Sequence, residues 1–399
     1  MDTTTDVPKP AEPRRKTGRG PKLREASFKD YDQIAVLESQ YGLKAKSYEE
    51  WSHLWLGNPL YQELQAGWSI GWVLEDDNDR IVASMGNIPL LYEFEGRRIL
   101  TASGRSWVAA PEYRSASLLL LDHVINQRYV DLYLNTTVNP ASAAAVGVFE
   151  CPRVPVGIWD EAAFWITHYR GFAESLLARG NYRLAKPLTY PLSAAMYVKD
   201  RLTTKAWDAG DVEVTTCPAF DDRFNDFWAA LKSRSPQLLL AIRTREVLEW
   251  HYKYALLNNR LWIATVVDGP QIIAYAVFDR RDNRFGLKRA RLVDFQSLDG
   301  STALLPPLLS WALRRCRAQG IHVLENIGRW LERGELFDMI APYRRKLLTW
   351  IYFYRANNPA LAQSLSDRGA WAPSLFDGCL LYTSPSPRDR QKYRMPSSA

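Results

Sequence analysis

The stretch from Trp107 to Phe149 constrains the fold of this 399-residue chain more than any other. Its pattern predicts a strand, a short polar loop, a helix, a second strand and a helix of small residues. The loop, Tyr113 to Ser117, lies where the first helix begins, so free N–H groups and the positive end of a helix dipole meet there. Arg114 adds a planar guanidinium suited to phosphate. The stretch therefore predicts an anion-binding junction of strand and helix.

The last 21 residues do not resemble a natural protein segment. Cys379 to Asp389 and Arg394 to Ala399 match, in order and in one frame, translations of the adapter and primer used for sequencing libraries. We therefore expect residues 379–399 to be derived from an adapter and the natural sequence to be interrupted near Gly378. The tail is excluded from the prediction of the fold.

Positive charge is concentrated at the two ends of the chain. Of the formal net charge of +7, residues 1–24 carry +4 and residues 379–399 carry +3, so the body is neutral. A neutral body argues against general attraction to nucleic acid. Residues 1–21 predict a disordered basic arm without a signal peptide. No apolar run is long enough to predict a transmembrane helix.

The cysteine and histidine residues predict neither disulfides nor a metal site. Cys151, Cys217 and Cys316 are isolated from one another, and none of the five histidines forms an H-x-H or H-x-x-x-H pair. Metal and disulfide frameworks need closer or paired spacings. We expect no metal and a reduced, cytoplasmic setting.

The order of the predicted elements occurs twice. Residues 22–160 predict a strand, two helices, three strands, a helix, a strand and a helix, and residues 187–378 partly repeat that order. The segments LYLN and VLEN end at Asn135 and Asn326, 191 positions apart. Residues 161–186 predict an amphipathic connector helix. The sequence thus predicts an α/β (α+β) chain with two duplicated domains, each a mixed, mostly antiparallel sheet flanked by helices.

The element order and the loop together resemble the GCN5-related N-acetyltransferases in a tandem arrangement, over roughly Leu23 to Gly378. The acyl-CoA loop of that family runs Arg/Gln-x-x-Gly-x-Gly/Ala. Here it reads Arg114-Ser115-Ala116-Ser117-Leu118-Leu119, and the preceding Val108 and Pro111 complete the familiar Val-x-x-Pro-x-x-Arg. Asn139 lies where the family has an Asn that opens a small-residue helix.

The resemblance implies an acyl-CoA-dependent N-acyltransferase. Its substrates would be acetyl-CoA or another acyl-CoA and an amine of a small molecule, sugar or peptide. Loop amides would bind the diphosphate, and the preceding strand would pair with the pantetheine arm as an added strand does. The implied cofactor-binding residues are Trp107, Val108, Ala109, Arg114, Ser115, Ala116, Ser117, Leu118 and Asn139.

The residues depart from the family pattern where protons are transferred. The family often has a Tyr seven residues after the Asn, as general acid, and this position is Val146. No carboxylate lies between Glu95 and Glu112 to serve as base. Ser117 and Leu119 also replace small residues that let the loop backbone approach phosphate. The catalytic residues are therefore not identified, and coenzyme binding is better supported than catalysis.

The second half lacks the loop chemistry of the first. Pro306 and Pro307 occupy its equivalent positions and have no N–H to donate. No arginine matches Arg114 there. We expect that only the first domain binds acyl-CoA.

Three further residues and two other functions stay open. His251 is a candidate base. Asp294 and Glu325 are also candidates, but their positions within strands favour their interpretation as partners in buried ion pairs. The sequence around His251 also resembles the Fem-type transferases, which would imply aminoacyl transfer from charged tRNA to a cell-envelope precursor. The loss of family landmarks favours, as a third interpretation, a non-catalytic binding module.

Overall fold

The computed structural model describes most of the chain between residues 20 and 377. The described ranges are 20–64, 67–138, 140–156, 161–180, 185–203, 210–328, 330, 341–346 and 351–377. Outside them lie the predicted arm up to residue 19, Asn139 and the tail 379–399. The sequence pattern also predicts a closing helix over residues 332–343, and most of that segment lies outside the described residues.

The first half follows the predicted order from its first strand to its small-residue helix, except that a third, short helix precedes the second strand. The strands are β1 (Lys22–Glu25), β2 (Gly71–Glu75), β3 (Ile81–Phe94), β4 (Arg97–Ala109), β5 (Leu132–Val138) and β6 (Glu161–Ile166). The helices are α1 (Tyr31–Gln40), α2 (Tyr48–Leu56), α3 (Pro59–Leu64), α4 (Leu118–Ile125), α5 (Pro140–Val148) and α6 (Tyr169–Arg179).

The second half begins with a long helix that the sequence patterns did not predict, α7. Its helices are α7 (Ala185–Thr203), α8 (Arg223–Arg234), α9 (Arg245–Leu257), α10 (Leu305–Ala318) and α11 (Pro359–Leu365). Its strands are β7 (Thr215–Cys217), β8 (Leu240–Ala241), β9 (Leu261–Asp268), β10 (Gln271–Arg280), β11 (Arg289–Ser297), β12 (Val323–Ile327), β13 (Tyr343–Lys346) and β14 (Ile351–Ala356).

Local sequence signals account for many of these boundaries. Ser47, with Glu50 three residues later, predicts a capping box at the start of a helix, and the Ser47 side chain accepts a hydrogen bond from the Glu50 N–H at 3.2 Å at the start of α2. The pair Asp268-Gly269 predicts a tight turn between two strands, and Gly269, between β9 and β10, has a φ of +56°, which glycine adopts without steric cost. Apolar residues at helical spacing predict one buried face over residues 304–316, and that face of α10 is buried from Leu305 to Cys316.

The strands form two mixed, mostly antiparallel sheets flanked by helices, which confirms the predicted fold class. The first sheet has the order β1-β2-β3-β4-β5-β14, and β8 pairs with the end of β3. The second has the order β13-β6-β12-β11-β10-β9-β7. Among the described strands, each sheet has one parallel pair, β4 with β5 and β11 with β12. The order β1-β2-β3-β4-β5-β14 thus recurs as β7-β9-β10-β11-β12-β6, and β13 extends only the second sheet.

The halves exchange strands, which the sequence did not predict. The segment predicted as a connector helix begins instead with β6, which lies between β12 and β13 in the second sheet. The helix prediction is wrong over Glu161–Ile166, because five of these six residues are buried in the interior of a sheet. In return β14, near the end of the described chain, pairs with β5 of the first sheet.

A buried ion pair ties three parts of the chain together. Arg243, which follows β8, binds Asp294 of β11 with its Nε 2.9 Å from Oδ2, and both side chains are buried. Ser374 donates to Asp294 at 3.0 Å, and Tyr275 donates at 2.9 Å. The Arg243 charge also lies 4.6 Å from the centre of the Phe376 ring. First sheet, second sheet and C-terminal segment therefore meet at one carboxylate.

Replacing that carboxylate tests the junction. Asp294→Asn is expected to lower the free energy of unfolding by about 3–5 kcal/mol, because it leaves the Arg243 guanidinium buried without a counter-charge. Arg170→Ala, which breaks the exposed Arg170–Glu174 pair, is the control and should cost less than about 1 kcal/mol. Urea denaturation measures both. Equal losses would contradict the assigned role of the junction.

Removing the exchanged strand tests the dependence of the first half on the end of the chain. Deleting residues 351–377 is expected to abolish cooperative folding, because β5 loses its outer partner and Asp294 loses Ser374. A chain of residues 20–377 is the matched control. Amide dispersion in NMR spectra and urea titration distinguish the two. A well-folded chain of residues 20–350 would contradict the prediction.

Candidate functional site

A gap opens between β4 and β5 in the middle of the first sheet. These strands pair in parallel only over Thr101–Ser103 and Leu132–Leu134. Beyond that point β4 continues to Ala109 and β5 to Val138, and no pairing joins the two within the described residues. The edge of β4 that faces β5 therefore offers main-chain groups to a ligand, as the edge of a sheet does.

A bulge in β4 accompanies this gap. Val108 pairs with Ser84 of β3, but Arg105 pairs with Gly86, so one extra residue of β4 is inserted between these pairs. Ser106 lies in the inserted stretch with a φ of +50°, which is uncommon for a residue other than glycine. Bulges bend a strand and increase its twist, which is consistent with β4 leaving β5 here. No residue type in this stretch predicts the bulge.

The polar side chains of Tyr133 and Asn135 lie beside Gly104, at the closed end of the gap. A Cβ atom on Gly104 would lie 3.4 Å from the Tyr133 hydroxyl and 2.6 Å from the Met85 side chain, so only glycine fits without rearrangement. Asn135 donates from Nδ2 to the Tyr133 hydroxyl at 3.1 Å. Burial raises the pKa of Tyr133, so its hydroxyl stays protonated at neutral pH. No local sequence pattern marks Tyr133 or Gly104 as site residues.

The predicted pantetheine strand is the end of β4. Val108 and Ala109 pair with Ser84 and Ala83 of β3, and their other edge faces the gap. The Trp107 indole donates from Nε1 to the Ser117 carbonyl at 3.2 Å. This bond holds the end of the strand against the loop that follows.

The structure distinguishes two kinds of amide in the predicted diphosphate loop. The N–H groups of Ser117 and Leu118 already donate to carbonyls within the turn, at 2.9 and 3.3 Å. Those of Ser115 and Ala116 donate to no described residue. The side chains of Arg114 and Ser115 are exposed beside them. The groups available to an anion are therefore two amides and one guanidinium.

The residues that depart from the family pattern differ in their burial and contacts. Leu119 is 48% exposed, so its side chain does not fill the interior of the loop. Ser117 is buried, and its hydroxyl donates to the Arg114 carbonyl at 2.7 Å, which stabilises the turn. Val146, at the position of the family's general acid, is buried among apolar side chains. Asn139 lies outside the described residues.

In the second sheet β11 and β12 also pair only in part, but the loop that follows β11 lacks the features of the loop around Arg114. β11 and β12 pair in parallel over Arg289–Leu292, and a register shift in the β10–β11 pairing follows. The loop after β11 contains Asp299, whose carboxylate accepts hydrogen bonds from the N–H and hydroxyl of Ser301 at 2.9 and 2.8 Å. A carboxylate in the loop and two prolines in the first turn of α10 are both unfavourable for phosphate.

Asp294 and Glu325 form buried ion pairs. Besides the contacts of Asp294 with Arg243, Glu325 lies 2.8 Å from Arg291 and 2.6 Å from Arg345. These positive neighbours keep the pKa of each carboxyl below its usual value despite burial. Both carboxylates are therefore charged members of buried ion pairs with a structural role.

His251 is buried and stacks on Phe376, with ring centres 4.3 Å apart. Burial lowers the pKa of His251 to about 3, so the ring is neutral at pH 7. Its Nε2 has no hydrogen-bond partner among the described residues.

The described residues contain neither a metal-ligand cluster nor a membrane-spanning helix. No group of His, Cys, Asp and Glu in the described part of the chain could hold a metal ion. None of the described helices combines the length and apolar character needed to span a bilayer.

Comparison with solved structures identifies the fold. A GCN5-related N-acetyltransferase from Anabaena variabilis matches with a TM-score of 0.51 and 13% identity, over 85% of this chain and 73% of the other. One from Kribbella flavida matches with a TM-score of 0.52 and 11% identity, over 84% and 71%. Saccharomyces cerevisiae N-myristoyltransferase with bound myristoyl-CoA matches with 0.51 and 14%, over 89% and 86%.

These similarities confirm that the chain has the fold of the GCN5-related N-acetyltransferases, and the two sheets fit the predicted tandem arrangement. No protein-family model matches the chain, and no curated protein matches its sequence. The structural likeness, at 11–14% identity, concerns the fold alone.

Proposed function

We propose that this protein is an acyl-CoA-dependent N-acyltransferase. The observation that carries the proposal is the open edge of β4 beside β5, which leads into the loop with the available amides of Ser115 and Ala116. A strand edge suits the amide-rich pantetheine arm, and the loop suits the diphosphate. Acetyl-CoA is the proposed acyl donor, or another acyl-CoA, and the acceptor is an amine.

The proposed reaction takes place in the gap. The amine nitrogen attacks the thioester carbonyl carbon, a C–N bond forms, and negative charge develops on the carbonyl oxygen. Successive N–H groups of a strand point to opposite edges, so one of Val108 and Ala109 presents its N–H to the gap. That N–H stabilises the developing oxyanion. The C–S bond then breaks, and the amine proton leaves to water.

Tyr133 is the proposed hydrogen-bond donor to the leaving sulfur. Its protonated hydroxyl lies beside Gly104, at the closed end of the gap. A donor there stabilises the thiolate as it forms. Val146, by contrast, has no group that could do so.

A second candidate is a non-catalytic module that binds acyl-CoA. The buried Val146 and the absence of a carboxylate on β4 between Arg97 and Ala109 favour it. Coenzyme binding is common to both candidates, whereas only the first releases free thiol.

Removing the loop charge tests coenzyme binding. Arg114→Ala is expected to raise the Kd for CoA about tenfold, because a charge-assisted hydrogen bond to the diphosphate is lost. Arg128→Ala removes another exposed arginine and is the matched control. Calorimetry measures both, and pantetheine, which lacks the diphosphate, should bind the two variants alike. Equal effects of the two substitutions on CoA binding would contradict the assignment.

Thiol release tests catalysis. Acetyl-CoA with a panel of primary amines is expected to release free CoA, and Tyr133→Phe is expected to lower kcat about tenfold with little change in CoA affinity. Tyr129→Phe is the control, since Tyr129 is exposed. CoA binding without thiol release from any amine or acyl-CoA would favour the non-catalytic module.

A further inference from the structure

The helix α7 turns its more polar side toward the protein. Between residues 187 and 202, the side chains that face the protein recur every three or four positions, and they are Thr189, Leu192, Ser193, Met196 and Asp200. The two most buried of them, Thr189 and Asp200, are polar. A surface helix normally has the opposite arrangement, with an apolar stripe toward the core.

Contacts on this inner side fix the rotation of α7. Asp200 accepts a hydrogen bond from the Tyr169 hydroxyl of α6 at 2.7 Å. Met196 packs against the apolar cluster that includes Phe164 of β6. Because these contacts hold one side of α7 against the protein, the opposite side faces solvent.

That opposite side is apolar along its length. In a helix of 3.6 residues per turn its members lie within an arc of about 120°. All of them are exposed, and they are Pro187, Leu188, Pro191, Ala194, Ala195, Val198 and Leu202. We call this set the outer face of α7. Leu202 is 81% exposed and Val198 is 53% exposed. Contiguous exposed apolar surface of this kind marks an interaction site.

Tyrosines and basic residues flank the outer face. Tyr190, Tyr197 and Arg201 lie along one edge of it and Lys199 along the other, and all four are exposed. Arg201 donates from Nε to the Tyr197 hydroxyl at 3.1 Å. Asp200 is the only acidic residue between positions 187 and 202, and it is buried. The exposed charge on this part of α7 is therefore entirely positive.

This charge distinguishes two kinds of partner. If the α7 helices of two copies paired, Lys199 and Arg201 would meet no exposed carboxylate on the outer face of the partner helix, in either direction. Charged residues that flank the apolar seam of paired helices usually complement each other. Anionic lipid headgroups supply the missing negative charge, and the acyl chains below them accept apolar side chains.

The flanking side chains suit the boundary between headgroups and acyl chains. Tyr190 and Tyr197 each combine an apolar ring with a hydroxyl group that remains in water. Lys199 and Arg201 have long apolar stems, which lie on the apolar surface while the charged ends reach the headgroups. A helix that is apolar on one face only lies parallel to a bilayer surface.

We propose that the outer face of α7 binds the surface of a membrane that contains anionic phospholipids. Val198 and Leu202 enter the boundary between headgroups and acyl chains, and Lys199 and Arg201 contact the headgroup phosphates. This inference goes beyond the proposed acyltransferase function and does not depend on it, because the outer face contains none of the residues of the gap between β4 and β5.

Flotation of the full chain with lipid vesicles tests the ligand chemistry. Vesicles of phosphatidylcholine and phosphatidylglycerol in equal parts are expected to bind the protein about tenfold more tightly than vesicles of phosphatidylcholine alone. Added salt is expected to reduce this difference, because it screens the charges. Equal binding to both kinds of vesicle, or no binding to the anionic ones, would overturn the inference.

A substitution in the outer face locates the contact. Val198→Glu is expected to weaken binding to the anionic vesicles about tenfold, because a carboxylate replaces an apolar group and repels the headgroups. Val36→Glu, at an exposed valine of α1, is the matched control. The basic residues at the two ends of the chain are present in both variants, so binding through them alone would be equal in both. Equal binding of the two variants would overturn the inference.

A second substitution tests the charge without adding a carboxylate. Arg201→Gln is expected to weaken binding to the anionic vesicles about fivefold and to leave binding to phosphatidylcholine unchanged. Arg128→Gln removes another exposed arginine and is the control. Equal effects of these two substitutions would contradict the contact with phosphate. Melting temperatures equal to that of the unsubstituted protein show that each variant is folded.

Sedimentation equilibrium tests the other kind of partner. Val198→Glu is expected to leave the oligomeric state of the protein unchanged. A dimer that Val198→Glu dissociates, while Val36→Glu does not, would show that a second copy covers the outer face and would overturn the inference. Acyl transfer is measured separately by thiol release, and neither result decides the other.

Discussion

Pairing of β14 with β5 is the constraint on which the rest of the first sheet depends. β5 must stand apart from β4 over its last four residues, and there its only strand partner among the described residues is β14. Main-chain hydrogen bonds to β14 hold one edge of β5, so the strand stays extended while its other edge, toward β4, is open. The gap is thus held open by residues more than 200 positions away in the chain.

The reverse exchange explains why the two halves form one unit. β6 lies inside the second sheet, and the buried Arg243–Asp294 pair joins β8, on the first sheet, to β11. A buried pair adds little net stability compared with apolar packing, but it is costly to break. Its partners Ser374 and Tyr275 leave the carboxylate with few alternative arrangements.

The candidate site could be predicted from the sequence only where its chemistry is local. The loop after β4 could be identified because Arg114, a helix start and a preceding apolar strand are adjacent in the chain. The bulge at Ser106, the fit of Gly104 against Tyr133 and the unpartnered His251 could not. They depend on contacts with β3, β5 and the C-terminal segment, and their residue types are compatible with many other settings. Even within the loop, the structure was needed to show which amides are already engaged.

The sequence by itself determined the elements: the capped α2, the tight turn after β9, the apolar face of α10 and the strand–loop–helix unit around Arg114. These depend on periodicity, capping and turn chemistry over a few residues. Only the tertiary structure decided which sheet each strand joins, since the apolar runs of β6 and β14 would satisfy either sheet. It also decided where β4 leaves β5 and which face of α7 is exposed, because both follow from packing between segments distant in sequence.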